Sequence, residues 1–144
     1  KKGEPNLSKN NKNFKIGKGV WIEKGGDIAF ISVGSVLPIV LETRKILSQK
    51  KIHSSIINLH TIKPLDQTLL KKIFIRYKKI VVVEEHGLAG GAGSAILEWG
   101  NKNKFDLNKI ICIGGPDKFL TSCGNQKQAR DFIGLTPQKI IDKL

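Results

Sequence analysis

Several features that often mark a binding or structural role are missing from this chain. Only two cysteines occur among its 144 residues, Cys112 and Cys123. They form no CxxC pair and have no histidine at a spacing that suits zinc. Both are therefore expected to be reduced thiols, Cys112 in the core and Cys123 in a loop. A cytoplasmic protein is predicted.

Long apolar runs are also absent. The longest, such as residues 80–83, are far too short to span a bilayer, and the polar, lysine-rich start has no signal-peptide pattern. We therefore expect no membrane partner. Methionine does not occur at all and the chain begins at Lys1, so we expect it to be a piece of a longer protein.

Arginine is scarce although the chain is strongly basic. The net charge is +13, but only Arg44, Arg76 and Arg130 are arginines, and lysine supplies the rest of the 25 basic residues. Arginine makes most bidentate contacts with bases, and these lysines are scattered rather than gathered with aromatic residues. The lysines are therefore interpreted as a solvated surface, and no nucleic-acid partner is expected.

Strand-like and helix-like segments alternate along the sequence. Apolar segments predict strands at residues 19–23, 27–33, 52–58, 78–85 and 109–115. One helix is predicted to begin at Gly34 and Ser35, and a second to be capped by Asp66. A third helix is predicted to follow a glycine-rich loop. Two short helices are predicted near the end of the chain, and Thr136 is expected to cap the second of them. The apolar face of the helix after Asp66 comprises Leu69, Leu70, Ile73 and Phe74. This alternation predicts an α/β fold with a mainly parallel sheet covered on both faces.

The glycine-rich loop lies in the stretch VVVEEHGLAGGAGSAILEW, residues 81–99. Three sequence motifs that bind phosphates or supply a nucleophile for acyl transfer are absent from this stretch. Ile96 occupies the third small position of a dinucleotide fingerprint, no Gly-Lys-Ser/Thr is present as in a P-loop, and Ser94 lacks the glycine that would complete a nucleophile elbow.

Two interpretations of this loop stay open. The candidate residues for an anion site or a domain contact are Glu85, His86, Gly90, Gly91, Gly93 and Ser94. Either free N–H groups at the helix start hold an anion, or the glycines allow a tight strand-to-helix turn while His86 contacts a neighbouring loop or domain. The side chain of Glu84 is expected to face one of the layers that cover the sheet. Glu85 and His86 are expected to lie past the end of the strand. No residue is predicted to be catalytic, to bind a cofactor or to hold a metal.

Four segments together resemble the C-terminal domain of the transketolase family. They are FKIGKGVWIEKGGDIAFISVGS, LHTIKPLD, VVVEEHGLAGGAGSAILE and GGPDKFLTSCGNQKQARDFIGLTPQKI, in the family's order and over nearly the whole chain. TIKPLD and EEHGLAGGAGSA are the most specific parts. The opening KKGEP resembles the stretch that joins this domain to the one before it, so residues 1–18 are interpreted as a linker and residues 19–144 as the domain.

The resemblance implies a three-layer α/β/α sandwich with a five-stranded, mostly parallel sheet whose first strand is antiparallel. It implies a non-catalytic domain that organises the dimer of a transketolase-like enzyme, which transfers two-carbon ketol units between sugar phosphates. The alternatives are the same domain of 1-deoxy-D-xylulose-5-phosphate synthase or of a 2-oxoacid dehydrogenase beta subunit. From a different class, an anion- or nucleotide-binding regulatory module is also considered.

The resemblance also implies where the cofactor belongs. Thiamine diphosphate and magnesium would lie between upstream diphosphate-binding and pyrimidine-binding domains, on the same chain or on a separate subunit. This chain lacks the motifs of both domains. It is therefore expected to bind no cofactor and to be inactive alone, with the upstream domains and a second copy of the enzyme as partners.

Overall fold

A five-stranded sheet organises the part of the chain that the structure describes. The computed structural model describes residues 14–119, 121 and 124–144. Its strands are β1 (Val20–Glu23), β2 (Ile28–Val33), β3 (Ser54–Asn58), β4 (Lys79–Gly87) and β5 (Ile110–Gly115). Its α-helices are α1 (Leu37–Gln49), α2 (Gln67–Arg76), α3 (Ala92–Lys102), α4 (Gln126–Phe132) and α5 (Pro137–Ile141).

The strands lie in the order β1-β3-β2-β4-β5. β1 pairs with β3 in the antiparallel sense, and the other neighbours are parallel. This confirms the predicted fold, including the antiparallel first strand. From β2 the chain crosses to β3 on one side, and it then returns to β4 on the other side. The gap between the carboxyl ends of β2 and β4 is therefore the topological switch point, where ligands of such sheets usually bind.

Both faces of the sheet are buried, as the continuous apolar strands predict. Alternate residues of β2 show this directly: Phe30 belongs to the core beneath α1 and α5, and Ile31 belongs to the core beneath α2 and α3. Trp99 packs in the second of these cores. The sandwich therefore has helices on both sides of one sheet.

Two predicted boundaries were wrong by a few residues. Residues Gly34–Val36 form a 3-10 turn, so α1 begins only at Leu37, with Pro38 in its first turn where the missing N–H costs little. β3 begins at Ser54 rather than at residue 52, because Lys51 has a φ of 61° and Ile52 still donates to the last turn of α1.

The short helices near the carboxyl terminus form as expected. Asn125 caps α4 with a reciprocal capping box, and Thr136 caps α5 by accepting from the Lys139 N–H. α4 nevertheless buries none of its residues. The predicted linker falls largely on residues 1–13, and the predicted loop cysteine is Cys123. Both lie outside the described part of the chain.

Candidate functional site

The candidate site lies where β4 passes into α3, at the switch point of the sheet. β4 continues to Gly87, so Glu85 and His86 belong to the strand, and the prediction that they lie beyond its end was wrong. The reason is a register shift: between the pairs Val83–Ile113 and Gly87–Gly115, β4 carries two more residues than β5. Such a bulge continues the strand while it re-aims its side chains.

Glu84 occupies the helix start that the sequence offered to an anion. Its side chain is 1% exposed, and it accepts the Ala92 N–H at 2.6 Å and the Gly93 N–H at 2.9 Å. A carboxylate at a helix N-terminus is stabilised by these donors and by the helix dipole. These two N–H groups are therefore not free, and an external anion would have to displace Glu84.

The glycines of the loop make room for this carboxylate. A Cβ added at Gly91 would come within 2.4 Å of a Glu84 oxygen, and one added at Gly93 would come within 2.7 Å of the Cys112 sulfur. Gly90 has a φ of 71°, which a glycine adopts without strain. The hydroxyl of Ser94 closes the turn by donating to the Leu88 carbonyl at 2.7 Å. The predicted tight turn is present, and one of its purposes is to bury Glu84.

Glu85 points to the opposite face and anchors α4. The Arg130 Nε donates to it at 2.8 Å, Gln126 donates to it at 3.1 Å, and the Ser35 hydroxyl is a third partner. Arg130 also donates to the Ser35 carbonyl at 3.0 Å. With Arg130 at 16% and Glu85 at 22% side-chain exposure, this ion pair is more shielded than a surface pair.

Sequence reasoning did not connect Ser35, Glu85 and Arg130. Ser35 and Arg130 are 95 positions apart, and only the strand order brings them to the same edge. The one signal in the sequence is that Ser35 follows closely after the predicted strand at residues 27–33. For Arg130 the sequence offers no signal beyond its positive charge.

His86 lies on the α3 side of the sheet. It lines a cavity of about 520 Å³ together with Val33, Ile62, Glu84 and the residues from Gly87 to Ala92 except Leu88. The His86 side chain is exposed, and it makes no hydrogen bond to any residue that the structure describes. Among the described residues, the cavity therefore combines apolar walls with the buried Glu84 carboxylate and the His86 imidazole.

Cys112 lies beneath the loop on β5. Burial raises the pKa of its thiol above the ordinary value of 9.0, and the nearby Glu84 carboxylate raises it further. A thiol kept protonated in this way is a poor nucleophile. The interpretation of Cys112 as a packing residue is consistent with this setting.

The described residues do not fit a diphosphate–metal cofactor. Across this part of the chain no three His, Cys, Asp or Glu side chains gather closely enough to hold a metal ion. The helix start that suits a phosphate is already bound by Glu84. Nor does any helix in the described ranges have the length and apolarity needed to cross a membrane.

Comparison with known proteins identifies relatives of this fold and site. Residues 17–140 match the family model described as "Transketolase, C-terminal domain". A 1-deoxy-D-xylulose-5-phosphate synthase of Halothermothrix orenii is 44% identical over 105 residues, covering 73% of this chain and 16% of that protein. The synthase of Dictyoglomus turgidum is 34% identical over 131 residues, covering 91% and 21%. The chain thus spans about a fifth of the length of these curated relatives.

Solved structures agree with the family match. A protein described as "Split gene transketolase, inactive beta4 tetramer" superposes with a TM-score of 0.87 at 25% identity, covering 97% of this chain and 45% of that one. The transketolase of Campylobacter jejuni superposes with a TM-score of 0.59 at 11% identity, covering 88% and 18%. The second likeness supports the fold alone.

Proposed function

The chain belongs to the transketolase C-terminal domain family, and we propose that it is the C-terminal domain of a 1-deoxy-D-xylulose-5-phosphate synthase. The observation that carries this proposal is the 44% identity to the Halothermothrix orenii synthase over 105 residues. The relatives from Dictyoglomus turgidum and Cytophaga hutchinsonii have the same description, at 34% and 32% identity. These relatives favour the synthase alternative over ketol transfer between sugar phosphates.

Within that enzyme, the chain acts as a structural domain that organises the dimer. Thiamine diphosphate and magnesium bind elsewhere in the enzyme, in its other domains or in a separate subunit. Two observations support this division: the described residues contain no metal-binding cluster, and Glu84 already takes the helix N-terminus that could bind a phosphate. The chain alone is therefore inactive. The complete enzyme is a cytoplasmic homodimer.

Genetic complementation tests the choice of reaction. The gene of the complete enzyme that contains this chain is introduced into two bacterial strains, one without 1-deoxy-D-xylulose-5-phosphate synthase and one without transketolase. We expect growth to be restored in the first strain only. Rescue of the second strain alone would replace the proposal with the transketolase function.

Two measurements test the role of the domain. Calorimetry on the 144-residue chain with thiamine diphosphate and magnesium should show no binding, whereas the complete enzyme should bind the cofactor. Light scattering should show that removal of this chain from the complete enzyme weakens its dimer. Micromolar cofactor binding by the chain alone, or an unchanged dimer after the deletion, would contradict the assigned role.

A further inference from the structure

Two lysines adopt a backbone conformation that favours glycine. Lys51 has a φ of 61° and Lys104 has a φ of 58°, and across the described ranges they are the only residues other than glycine with a positive φ. Each directly follows the C-cap residue of a helix, α1 for Lys51 and α3 for Lys104. Glycine is the usual residue at this position because a side chain there strains the backbone. The fold alone would therefore favour glycine, yet both positions carry an exposed lysine.

Both lysines lie at the amino edge of the sheet, which is the edge where the parallel strands β2 to β5 begin. The helices α1, α2 and α3 each run back to this edge before the next strand starts, so their carboxyl ends gather there. Contacts across the edge agree with this: the Lys78 N–H donates to the Asp27 carbonyl at 3.0 Å, and the Lys109 ammonium donates to the Phe74 carbonyl at 2.6 Å. The candidate site at the end of β4 lies at the opposite edge.

Positive charge is in excess at the amino edge. The basic residues beside its strand and helix ends are Lys24, Lys50, Lys51, Arg76, Lys78, Lys79, Lys102, Lys104, Lys109 and Lys143, and the acidic ones are Glu23, Asp27, Asp106 and Asp142. The carboxyl end of a helix carries only about half a negative charge. The helix dipoles therefore do not balance these lysines. Although the lysines are scattered along the sequence, the fold gathers many of them on one face.

Several of these lysines are not used by the fold. Lys78 lies 2.7 Å from Asp27, and Lys109 binds helix carbonyls. By contrast, a group of exposed lysines makes no ion pair with any residue that the structure describes; its members are Lys50, Lys51, Lys102, Lys104 and Lys143. The strained backbone at two of these positions indicates that positive charge has a use there other than folding.

Two exposed isoleucines lie within the same edge. Ile75 is 79% exposed on the last turn of α2, and Lys71 and Lys72 precede it by one turn on the same face of that helix. Ile52 is 41% exposed and directly follows Lys51. Lysines that surround an exposed apolar side chain are typical of proteins that attach to the surface of an acidic membrane, where the lysines meet the headgroups and the apolar group enters the interface.

The same edge is less suited to nucleic acid. Nucleic acids are bound through arginine contacts with bases and through stacking on aromatic side chains. The large apolar side chains exposed at this edge, among the described residues, are the two isoleucines. Its arginines are already paired, Arg44 with Glu23 and Arg76 with Asp27. Because α1 covers one face of the sheet and α2 and α3 cover the other, the lysines also spread over a broad surface instead of a groove.

We propose that the amino edge is a membrane-attachment surface, which binds bilayers that contain acidic phospholipids. Lys51 and Lys104 bind headgroups on either side of the sheet, and Ile52 and Ile75 enter the interface between headgroups and acyl chains. The expectation of no membrane partner rested on the lack of a spanning segment, which attachment to the surface does not need. This inference holds whichever reaction the complete enzyme catalyses.

Vesicle flotation tests the attachment with the complete enzyme that contains this chain. The enzyme should float with vesicles of phosphatidylglycerol and phosphatidylcholine, should not float with vesicles of phosphatidylcholine alone, and should be released by added salt. Ile75→Ala should weaken the binding about threefold or more, because it removes an inserted side chain without removing charge. Enzyme activity in solution should be unchanged, since Ile75 lies far from the candidate site.

Substitution of the two strained lysines separates attachment from folding. Lys51→Gly combined with Lys104→Gly should weaken vesicle binding about tenfold or more. In the 144-residue chain the same change should raise the midpoint of thermal unfolding by about 2 °C or more, because glycine relieves the backbone strain. Lys63→Gln combined with Lys127→Gln is the matched control. It removes the same charge from exposed positions near the opposite edge, so binding should stay within about twofold of the parent.

Several outcomes would overturn the proposal. They are equal flotation with both kinds of vesicle, unchanged binding by the glycine variant or by Ile75→Ala, and an equal loss in the control variant. Flotation of the 144-residue chain but not of the complete enzyme would show that the rest of the enzyme covers this edge. Tighter binding to duplex DNA than to the acidic vesicles would assign the surface to nucleic acid. Failure of the synthase assignment appears instead in the complementation strains, which do not depend on these variants.

Discussion

The carboxylate of Glu84 is in direct contact with the backbone of Gly93. The Glu84 Oε1 accepts the Gly93 N–H at 2.9 Å, and a Cβ added at Gly93 would approach that same oxygen to 3.2 Å. The contact joins the third helix to the fourth strand from inside the protein. The strand thus supplies the acceptor for the helix start, a task that an N-cap side chain usually performs.

Removal of the Glu84 carboxylate should destabilise the domain. Glu84→Ala leaves the Ala92 and Gly93 N–H groups buried without their acceptor, so we expect a loss of about 2–4 kcal/mol in the free energy of unfolding. Urea denaturation of the 144-residue chain measures this loss. Glu98→Ala, an exposed change on the same helix, is the control and should cost no more than about 0.5 kcal/mol.

A methyl group at Gly93 should conflict with Cys112. Because the added Cβ would lie 2.7 Å from the Cys112 sulfur, Gly93→Ala is expected to cost about 1–3 kcal/mol. Replacing Cys112 by alanine as well should recover part of that cost. A double-mutant cycle measures the coupling between the two positions, and strictly additive effects would show that the sulfur is not the obstacle.

The ion pair between Arg130 and Glu85 should hold the fourth helix in place. Arg130→Met keeps the length of the side chain but removes its donors, so we expect amide hydrogen exchange in Gln126–Phe132 to accelerate at least about tenfold, with little change in the strands. Lys127→Met, on the exposed face of the same helix, is the control. Uniformly faster exchange across the sheet would instead indicate a global loss of stability.

Asp27 should make stability depend on pH in the acidic range. A hydrogen bond and the charge of Lys78, followed by Arg76, lower the pKa of Asp27 below its ordinary value of 3.8. The folded state is therefore favoured by the ionised carboxylate above that value, and this contribution disappears as the pH falls through the lowered pKa.

The corresponding variant is Asp27→Asn, compared with the parent by thermal unfolding across the acidic range. The parent should be the more stable above pH 3.8, and the two midpoints should converge at lower pH. Added salt should reduce the difference, because Asp27 and Lys78 are exposed. A difference that grows as the pH falls would contradict the direction of the shift.

Local patterns in the sequence were sufficient to predict most elements. The helix after Asp66 formed with Leu69, Leu70, Ile73 and Phe74 buried, and Asp66 accepts the Leu69 N–H as its cap. Both features depend on residues within one or two turns of each other. The helical period and the capping rules act over that distance, so the sequence alone was enough to predict them.

Contacts at the candidate site were harder to predict because they depend on sheet order. The sequence marked Glu84 as a residue facing a layer, but not as the acceptor for a helix that begins eight residues later. It indicated glycines suited to a turn, whereas Gly91 is also required by the volume of the Glu84 side chain and Gly93 mainly by the Cys112 sulfur. The strand extension to Gly87 follows from pairing with β5, which no local pattern of residues 84–87 reveals.

The bulge in β4 also constrains how this region can change in length. Successive side chains of a strand point to opposite faces of the sheet. Because β4 carries two additional residues rather than one, the residues that follow the bulge point to the same faces as they would without it. Glu84 consequently faces α3 while Glu85 faces Arg130. An insertion or deletion of one residue just before Glu84 would exchange these two carboxylates between the faces, whereas a change of two residues would keep each on its own side. Length variation at this point is therefore tolerable only in even steps.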